Sequence, residues 1–468
     1  IQRTIDGFGS DPLMQNASIS ILVYDLNSKE VLGELAPDMS LPTASTMKLI
    51  ATATALEVLG AGYQFATRVY YTGYIDSTGV LHGDLIVKGG GDPTLGSRYY
   101  KKLNRNPHFM EKWVEAVHEA GIRSINGRVI GDARVLSHNM LPAGWSWGDM
   151  GNYYGAGPSG LTVYDNMVEH YFSSGRNAGD PTNVDSIYPE IPEYSFLNRV
   201  QAANVSGDNA YLYGAPYQPD RFGEGQIPRS KNDFLVKGSM PDPAYTVAWE
   251  FDKRLFDSGI IATGKATTFR RIEMMGDTIP SDDEKIELAA TYSPYLSSIA
   301  YWTNMLSVNL FAEHMVTAVG LRRGGVGSTY SGTEMITRFW QSKGLDMTGF
   351  YMNDGSGLSR SNAVSARHFV RILEYMNASS NADTFRSTLP VAGTSGTLTY
   401  WCRGSRAQGN LMAKSGSMTR VKSHAGYVKS MSGRSLAFAI IVNNYNATSA
   451  QLKVRIEKIM VAMANFNG

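Results

Sequence analysis

Ser45 and Lys48 stand one helical turn apart in "PTASTMKLIATATALEVLGAG". Positions i and i+3 of a helix share a face, so this spacing sets a hydroxyl beside an amine. A serine hydroxyl is a poor nucleophile at neutral pH and needs an adjacent base. An amine can be that base only when burial or neighbouring cations lower its pKa. The alanine- and leucine-rich run after Lys48 supplies the burial. The positive end of a helix dipole at Ser45 would favour an oxyanion on the attacked carbonyl. Alone the pattern is weak: Ser-x-x-Lys arises by chance in most chains this long, and a serine ahead of a helix also serves as an N-cap.

Two further stretches add context. "SVN" puts Ser307 and Asn309 between two helical segments, where a loop can aim both side chains into a cleft. "KSG" puts Lys414, Ser415 and Gly416 on a strand, with the glycine allowing close approach to a ligand backbone. Rival chemistries fare worse. "GWSWG" (Gly144 to Gly148) matches a Gly-x-Ser-x-Gly elbow, but "SHNMLPA" before it is no hydrophobic strand and a glycine–tyrosine loop follows. His314 and His118 belong to no His-Glu-x-x-His pattern, and "GDPTLG" and "DGSGLS" lack the ending of a phosphate-binding loop. No metal and no cofactor is expected.

The elements that position these residues follow from periodicity. "ASISILVYDLNSKEVLGELAPD" alternates apolar and polar residues on both sides of Asn27-Ser28 and predicts a hairpin. A central buried helix is predicted from about Thr46 to Leu59, ended by Gly60 and Gly62. From about Tyr63 to Ala290 short strands such as "TRVYYTGYI" and "GDLIVKG" alternate with glycine turns, and "MEKWVEAVHEAG" then "SINGRVIGDA" read as helix and strand. "PYLSSIAYWTNML" and "NLFAEHMVTAVG" read as helices. "NLMAKSGSMTRVKSHAGYVKS" and "GRSLAFAIIVNNY" read as paired strands, and "SAQLKVRIEKIMVAMANF" as a closing amphipathic helix. Strands at both termini imply one sheet built from both ends, with the middle inserted.

The chain has 468 residues and a formal net charge of +1, enough for two or three domains and no electrostatic footprint for nucleic acid or a polybasic membrane patch. No apolar run is long enough to span a bilayer. The one cysteine, Cys402, reads as a small semi-buried hydrophobe and leaves the redox compartment undecided. The sequence opens at Ile1 rather than Met, which suggests that a signal peptide or a tag was removed upstream.

In the order Ser-x-x-Lys, Ser-x-Asn, Lys-Ser/Thr-Gly, the three stretches form the signature of penicillin-binding proteins and serine β-lactamases. The chain resembles the class C low-molecular-mass penicillin-binding proteins, the D-alanyl-D-alanine carboxypeptidase/endopeptidases, from the first hairpin to the last helix. "GGGDPTL", "YYGAGPSGLTVYDN", "SVNLFAEHM", "NDGSGLSR" and "LPVAGTSGTL" all look like family stretches. The long gap between Ser45 and Ser307 is one that family members fill with inserted domains and β-lactamases do not.

The resemblance implies an α/β (α+β) fold: a penicillin-binding transpeptidase-like domain, with a five-stranded antiparallel sheet flanked by helices, carrying inserted mostly-β accessory domains. Residues 1–63 and 289–468 would form the catalytic domain, 64–96 and 165–288 one accessory domain, and 97–164 a second. It implies that Ser45 attacks the carbonyl of the penultimate D-alanine, with Lys48 as base and Ser307 relaying the proton to the leaving amine. Asn309 would bind the substrate backbone and steady Lys48. Lys414 and Ser415 would bind the terminal carboxylate, with Lys414 also keeping Lys48 neutral. The N–H groups of Ser45 and Ser417 would form the oxyanion hole.

A diaminopimelyl side chain would be held by Asp149 and Arg360 between Tyr154 and Met418; a surface Asp–Arg pair is the plain alternative. "KSG" replaces the commoner "KTG", which keeps the hydroxyl and loses a methyl, and Val308 would point away. The partners implied are peptidoglycan stem peptides, with β-lactams as covalent inhibitors, no nucleic acid and at most peripheral membrane association. The place implied is the periplasm or outer cell surface. The alternatives are a β-lactamase of the same superfamily and a non-catalytic penicillin-binding sensor.

Overall fold

"LAFAIIV" lies in the strand Ser435–Asn443, nearly all of which is buried. A strand with one wet face alternates apolar and polar residues, so a continuous apolar run needs cover on both faces. The computed structural model, which describes residues 1–100, 108–280 and 284–468, provides that cover. Five antiparallel strands form one sheet in the order Met412–Met418, Val421–Lys429, Ser435–Asn443, Ser18–Asp25, Val31–Leu35. The two ends of the chain therefore meet in the middle of the sheet, with Ile21 opposite Ile440.

One face carries Ile19, Ile21, Val23, Phe438, Ile440 and Val442. It packs with Leu452, Ile456, Ile459, Met460 and Met463 of the closing helix Ser449–Ala464, and with Ile5 and Phe8 of the first helix Gln2–Gly9. The helix Ala366–Ala378 covers the other face. Its start is fixed by a capping box between Ser365 and His368. The first strand pairs with Val31–Leu35 as the predicted hairpin. Its serines alternate with isoleucines as if one face were wet, yet Ser20 is fully buried. The Ser20 hydroxyl accepts the Ala366 N–H at 3.1 Å and donates to the Pro37 carbonyl at 3.3 Å, so polar contacts replace solvent on that face.

The predicted central helix runs from Met47 to Leu59, after a single 3₁₀ turn at Ala44–Thr46, and ends at Gly60 with φ +89°. Residues Met47 to Leu56 are all buried. A helix buried all round must satisfy its polar side chains internally. Thr52 and Thr54 donate back to the carbonyls of Lys48 and Ile50, both at 2.8 Å, and accept from Asn304 at 3.0 Å and Trp340 at 2.9 Å. Beside it lies the helix Asn309–Gly324, buried from Leu310 to Gly320. These elements make up a unit of Ile1–Tyr63, Pro142–Gly144 and Tyr295–Gly468.

The second unit comprises Gln64–Leu141 and Trp145–Pro294. Its larger core joins Val69, Val87, Trp113, Val117, Phe251 and Leu255, from a five-stranded sheet and the helices Phe109–Glu119 and Pro243–Asp257. The predicted helix and strand appear in order, and Val129–Asp132 pairs in parallel with Leu85–Lys88. Two three-stranded sheets, Thr182–Tyr188/Met167–Ser174/Phe234–Ser239 and Ser195–Ala203/Asp220–Pro228/Asn209–Tyr213, enclose a smaller core around Phe172, Leu212 and Ile227. The chain is thus a mixed α/β protein, a helix-flanked five-stranded antiparallel sheet with an accessory insert.

Candidate active site

The 3₁₀ turn before the central helix begins at Ala44, whose φ of +46° bends the chain sharply into Ser45. The Ser45 side chain is half-buried, and Lys48, one turn on, is fully buried. Lys48 Nζ donates to Ser45 Oγ at 2.9 Å and to the Ser356 carbonyl at 2.6 Å. Burial pushes its pKa from 10.5 down to about 7, against the pull of the Asp354 and Glu313 carboxylates. The amine therefore sheds its proton near neutrality, and its lone pair is then directed at the hydroxyl.

Lys414 comes from the edge strand Met412–Met418 and is also fully buried. Its Nζ donates to Ser307 Oγ at 3.1 Å and to the Ser415 carbonyl at 2.6 Å. Burial first, then the nearby Lys48, holds it well below the ordinary lysine range. Ser307 sits between the helices Leu296–Met305 and Asn309–Gly324 with φ +60°. A serine in that region costs on the order of 1 kcal/mol and is a mark of functional sites. Asn309 opens the second helix, and Val308 is buried.

Gly416 shows how the edge strand meets the turn that carries Ser45. A Cβ there would stand 2.3 Å from the Thr43 carbonyl oxygen and 2.4 Å from Ser423 Oγ. The backbone that this glycine admits is the chain's own, at the turn carrying Ser45. Ala413, whose N–H reaches Pro390 at 2.9 Å on the outer side of the strand, sets the parity of that edge. Alternation along the strand then turns the N–H of Ser415 and Ser417 outward too. Ser415 Oγ donates to Thr397 Oγ1 at 2.8 Å, and Ser417 is exposed, its hydroxyl taking Lys422 Nζ at 2.9 Å.

Of the expected residues, the structure thus gathers Ser45, Lys48, Ser307, Lys414, Ser415 and Gly416 around one cluster. Arg360 is exposed after the "NDGSGLS" loop, and Met418 is half-buried at the strand's end. Asp149 and Tyr154 belong to the other unit. There Ser146 Oγ donates to Asp149 Oδ2 at 2.6 Å. Burial, and next to it Asp149, raises the Tyr154 phenol above its ordinary value. Ser146 of "GWSWG" is exposed and extended just before a single helical turn, Trp147–Met150, with no elbow around it.

The sequence reading gave no role to four residues that the geometry puts at the cluster: Glu313, Asp354, Ser356 and Thr397. Their signals were present. Glu313 is an acid, next to His314, with apolar letters on either side of the pair, and the two glycines of "DGSGLS" mark close approach. A Cβ on Gly357, at φ +81°, would lie 1.8 Å from the Ala44 carbonyl oxygen.

A half-buried hydroxyl facing a neutralised amine, with a second depressed amine on another hydroxyl, is machinery for acyl transfer through a serine ester. Comparison with known proteins agrees. The D-Ala-D-Ala carboxypeptidase 3 (S13) family model matches residues 1–466. A D-alanyl-D-alanine carboxypeptidase of Actinomadura sp. (strain R39) is 30% identical, across 100% of this chain and 85% of its own length. The D-alanyl-D-alanine carboxypeptidase DacB of Haemophilus influenzae is 23% identical, across 95% of this chain and 89% of its own. The crystal structure of penicillin binding protein 4 (dacB) from Haemophilus influenzae covers 100% of both chains with a TM-score of 0.83 at 22% identity, which speaks for the fold. By the extent of the family match and by its relatives, this chain belongs to the D-Ala-D-Ala carboxypeptidase 3 (S13) family, a family of serine-type hydrolases.

Proposed function

We propose that this chain is a serine DD-peptidase of peptidoglycan stem peptides, removing a terminal D-alanine or cutting a D-alanine cross-bridge. The observation that carries the assignment of residues is the pair of hydrogen bonds Lys48–Ser45 at 2.9 Å and Lys414–Ser307 at 3.1 Å, both amines being buried. Ser45 Oγ attacks the carbonyl carbon of the penultimate D-alanine while neutral Lys48 takes its proton. The oxyanion lies between the N–H groups of Ser45 and Ser417. The C–N bond then breaks, and Ser307, backed by Lys414, returns a proton to the leaving amine. Lys414 and Ser415 hold the terminal carboxylate, Asn309 the substrate backbone, and the edge strand aligns the peptide by strand addition. Water hydrolyses the Ser45 ester and frees the enzyme.

A β-lactam enters the same path and halts at the ester. A part for Arg360 and Met418 in binding the substrate's side chain belongs to the same proposal. So does a place in the periplasm or at the outer cell surface, where such substrates lie; no helix among the described residues is long and apolar enough to cross a membrane.

Intact mass after penicillin treatment tests the assignment. Wild type gains one adduct and Ser45→Ala gains none. An adduct that survives the substitution moves the nucleophile elsewhere. Release of D-alanine from a Lys-D-Ala-D-Ala peptide separates a working peptidase from a binding protein, and steady-state cephalosporin turnover separates it from a β-lactamase.

A further inference from the structure

Lys48 is held by a loop, and the loop is held by a carboxylate that the acyl-transfer scheme does not use. Glu313 lies one turn beyond Asn309 on the same helix and is fully buried. A buried carboxyl group is costly unless it is hydrogen-bonded. Here the Gly355 N–H donates to Glu313 Oε1 and Oε2 at 3.1 and 3.0 Å, and the Ser356 N–H to Oε1 at 2.8 Å. The next carbonyl, that of Ser356, accepts from Lys48 Nζ at 2.6 Å.

The loop has little room to shift. Asp354, also fully buried, accepts the N–H of Gly357 at 2.8 Å and of Ser359 at 2.6 Å, and the Asn362 amide at 2.7 Å. Gly355 lies so close to the helix that a Cβ would stand 2.6 Å from Val316 Cγ2 and 2.7 Å from the Ala312 carbonyl oxygen.

We propose that Glu313 is a positioning residue for acyl transfer: it clamps the Gly355–Ser356 backbone so that the Ser356 carbonyl holds Lys48 beside Ser45. The inference rests on the roles proposed for Ser45 and Lys48. The ionisable groups around the amine are Glu313 from its helix, Asp354 from the loop and Lys414 from the edge strand. Asp354 and Glu313 both favour the Lys48 ammonium, while burial opposes it. Burial, and then Asp354, raises Glu313 above the carboxylate range. Lys414 is itself pushed down by burial and by Lys48. Raised to about 8, the Glu313 carboxyl is largely neutral where Lys48 titrates near 7, so it acts on the amine through the loop it clamps rather than through charge.

Glu313→Ala releases the clamp, whereas Glu313→Gln keeps the volume and one carbonyl acceptor for the loop. A displacement of reacting groups by ~1 Å costs up to about 10²-fold, so the acylation plateau of Glu313→Ala should fall by roughly that factor. The rate is read with a chromogenic β-lactam under single-turnover conditions, at a temperature where circular dichroism shows the variant folded. Glu313→Gln should bring the plateau back to within a few-fold of wild type. A purely structural role would lower thermal stability and leave the plateau of folded Glu313→Ala at the wild-type value, and that result overturns the proposal. A folded Glu313→Gln that stays as slow as Glu313→Ala overturns it as well. Wild type serves as the separating control. If it gives no Ser45 adduct, the assignment of Ser45 has failed; if it does and folded Glu313→Ala is acylated as fast, only the role of Glu313 has failed.

Discussion

The acylation rate should follow the neutral form of Lys48, and the structure fixes both direction and size. Free lysine titrates near 10.5, so at pH 7 roughly one amine in 3,000 is neutral. With its pKa held at about 7 by burial, half of the Lys48 amines are neutral at that pH. The neutral fraction rises from about one tenth at pH 6 to about nine tenths at pH 8. Acylation under single-turnover conditions should therefore rise nearly tenfold across those two units and level off above them. Stopped-flow measurement with a chromogenic β-lactam suits the test, because the ligand's carboxylate stays ionised throughout.

Stability has to be followed alongside, since the same displacement bears on folding. The unfolded chain keeps the Lys48 proton up to about 10.5 and the folded chain loses it near 7. The cost of burying the ammonium, about 5 kcal/mol for a displacement of that size, is fully present below pH 7 and is relieved as pH rises through that window. A circular dichroism record at each pH separates lost folding from lost base. A rate that is flat from pH 6 to 8, or still climbing tenfold per unit above pH 9, would show that Lys48 is not the base.

The sheet and its flanking helices were legible because both termini carry unmistakable strand and helix periods. The two buried lysines were legible because paired polar letters interrupt apolar runs. Burial on both faces of the first strand was not legible, because serine is a small polar letter whether it meets water or, as Ser20 does, a helix N–H. The environment of Lys48 was legible only in part. A local pattern gives the i, i+3 partner Ser45. It does not give Glu313 and Asp354, whose link to Lys48 runs through backbone groups of a loop far along the chain. The role of Gly416 had the same difficulty. The letter announces close approach, and only the fold says that the approaching group is Thr43.

Two further outcomes bear on packing. Cys402 is buried, and burial with the Glu457 charge raises its thiol to about 12. It should ignore a thiol reagent at pH 8 in the native protein and react at once in denaturant, as a colorimetric titration would show; rapid native labelling would contradict the packing around it. Gly416→Ala probes the contact between the edge strand and the turn that carries Ser45. The position is an ordinary strand residue, so alanine meets no backbone penalty and the effect is purely steric. The new methyl would meet the Thr43 oxygen at 2.3 Å, Ser423 Oγ at 2.4 Å and the Thr46 nitrogen at 2.9 Å. Two of these are main-chain atoms of the turn that carries Ser45, so relief comes only by parting strand from turn. Overpacking of this kind costs about 1–3 kcal/mol, readable from the denaturation midpoint. Parting them also carries the Ser417 N–H and Lys414 away from Ser45, so acylation should fall by up to about 10²-fold even at temperatures where the variant is fully folded. A folded Gly416→Ala that is acylated at the wild-type rate would mean that the reaction does not depend on the strand lying against the turn, and the oxyanion site assigned to Ser417 would have to be given up.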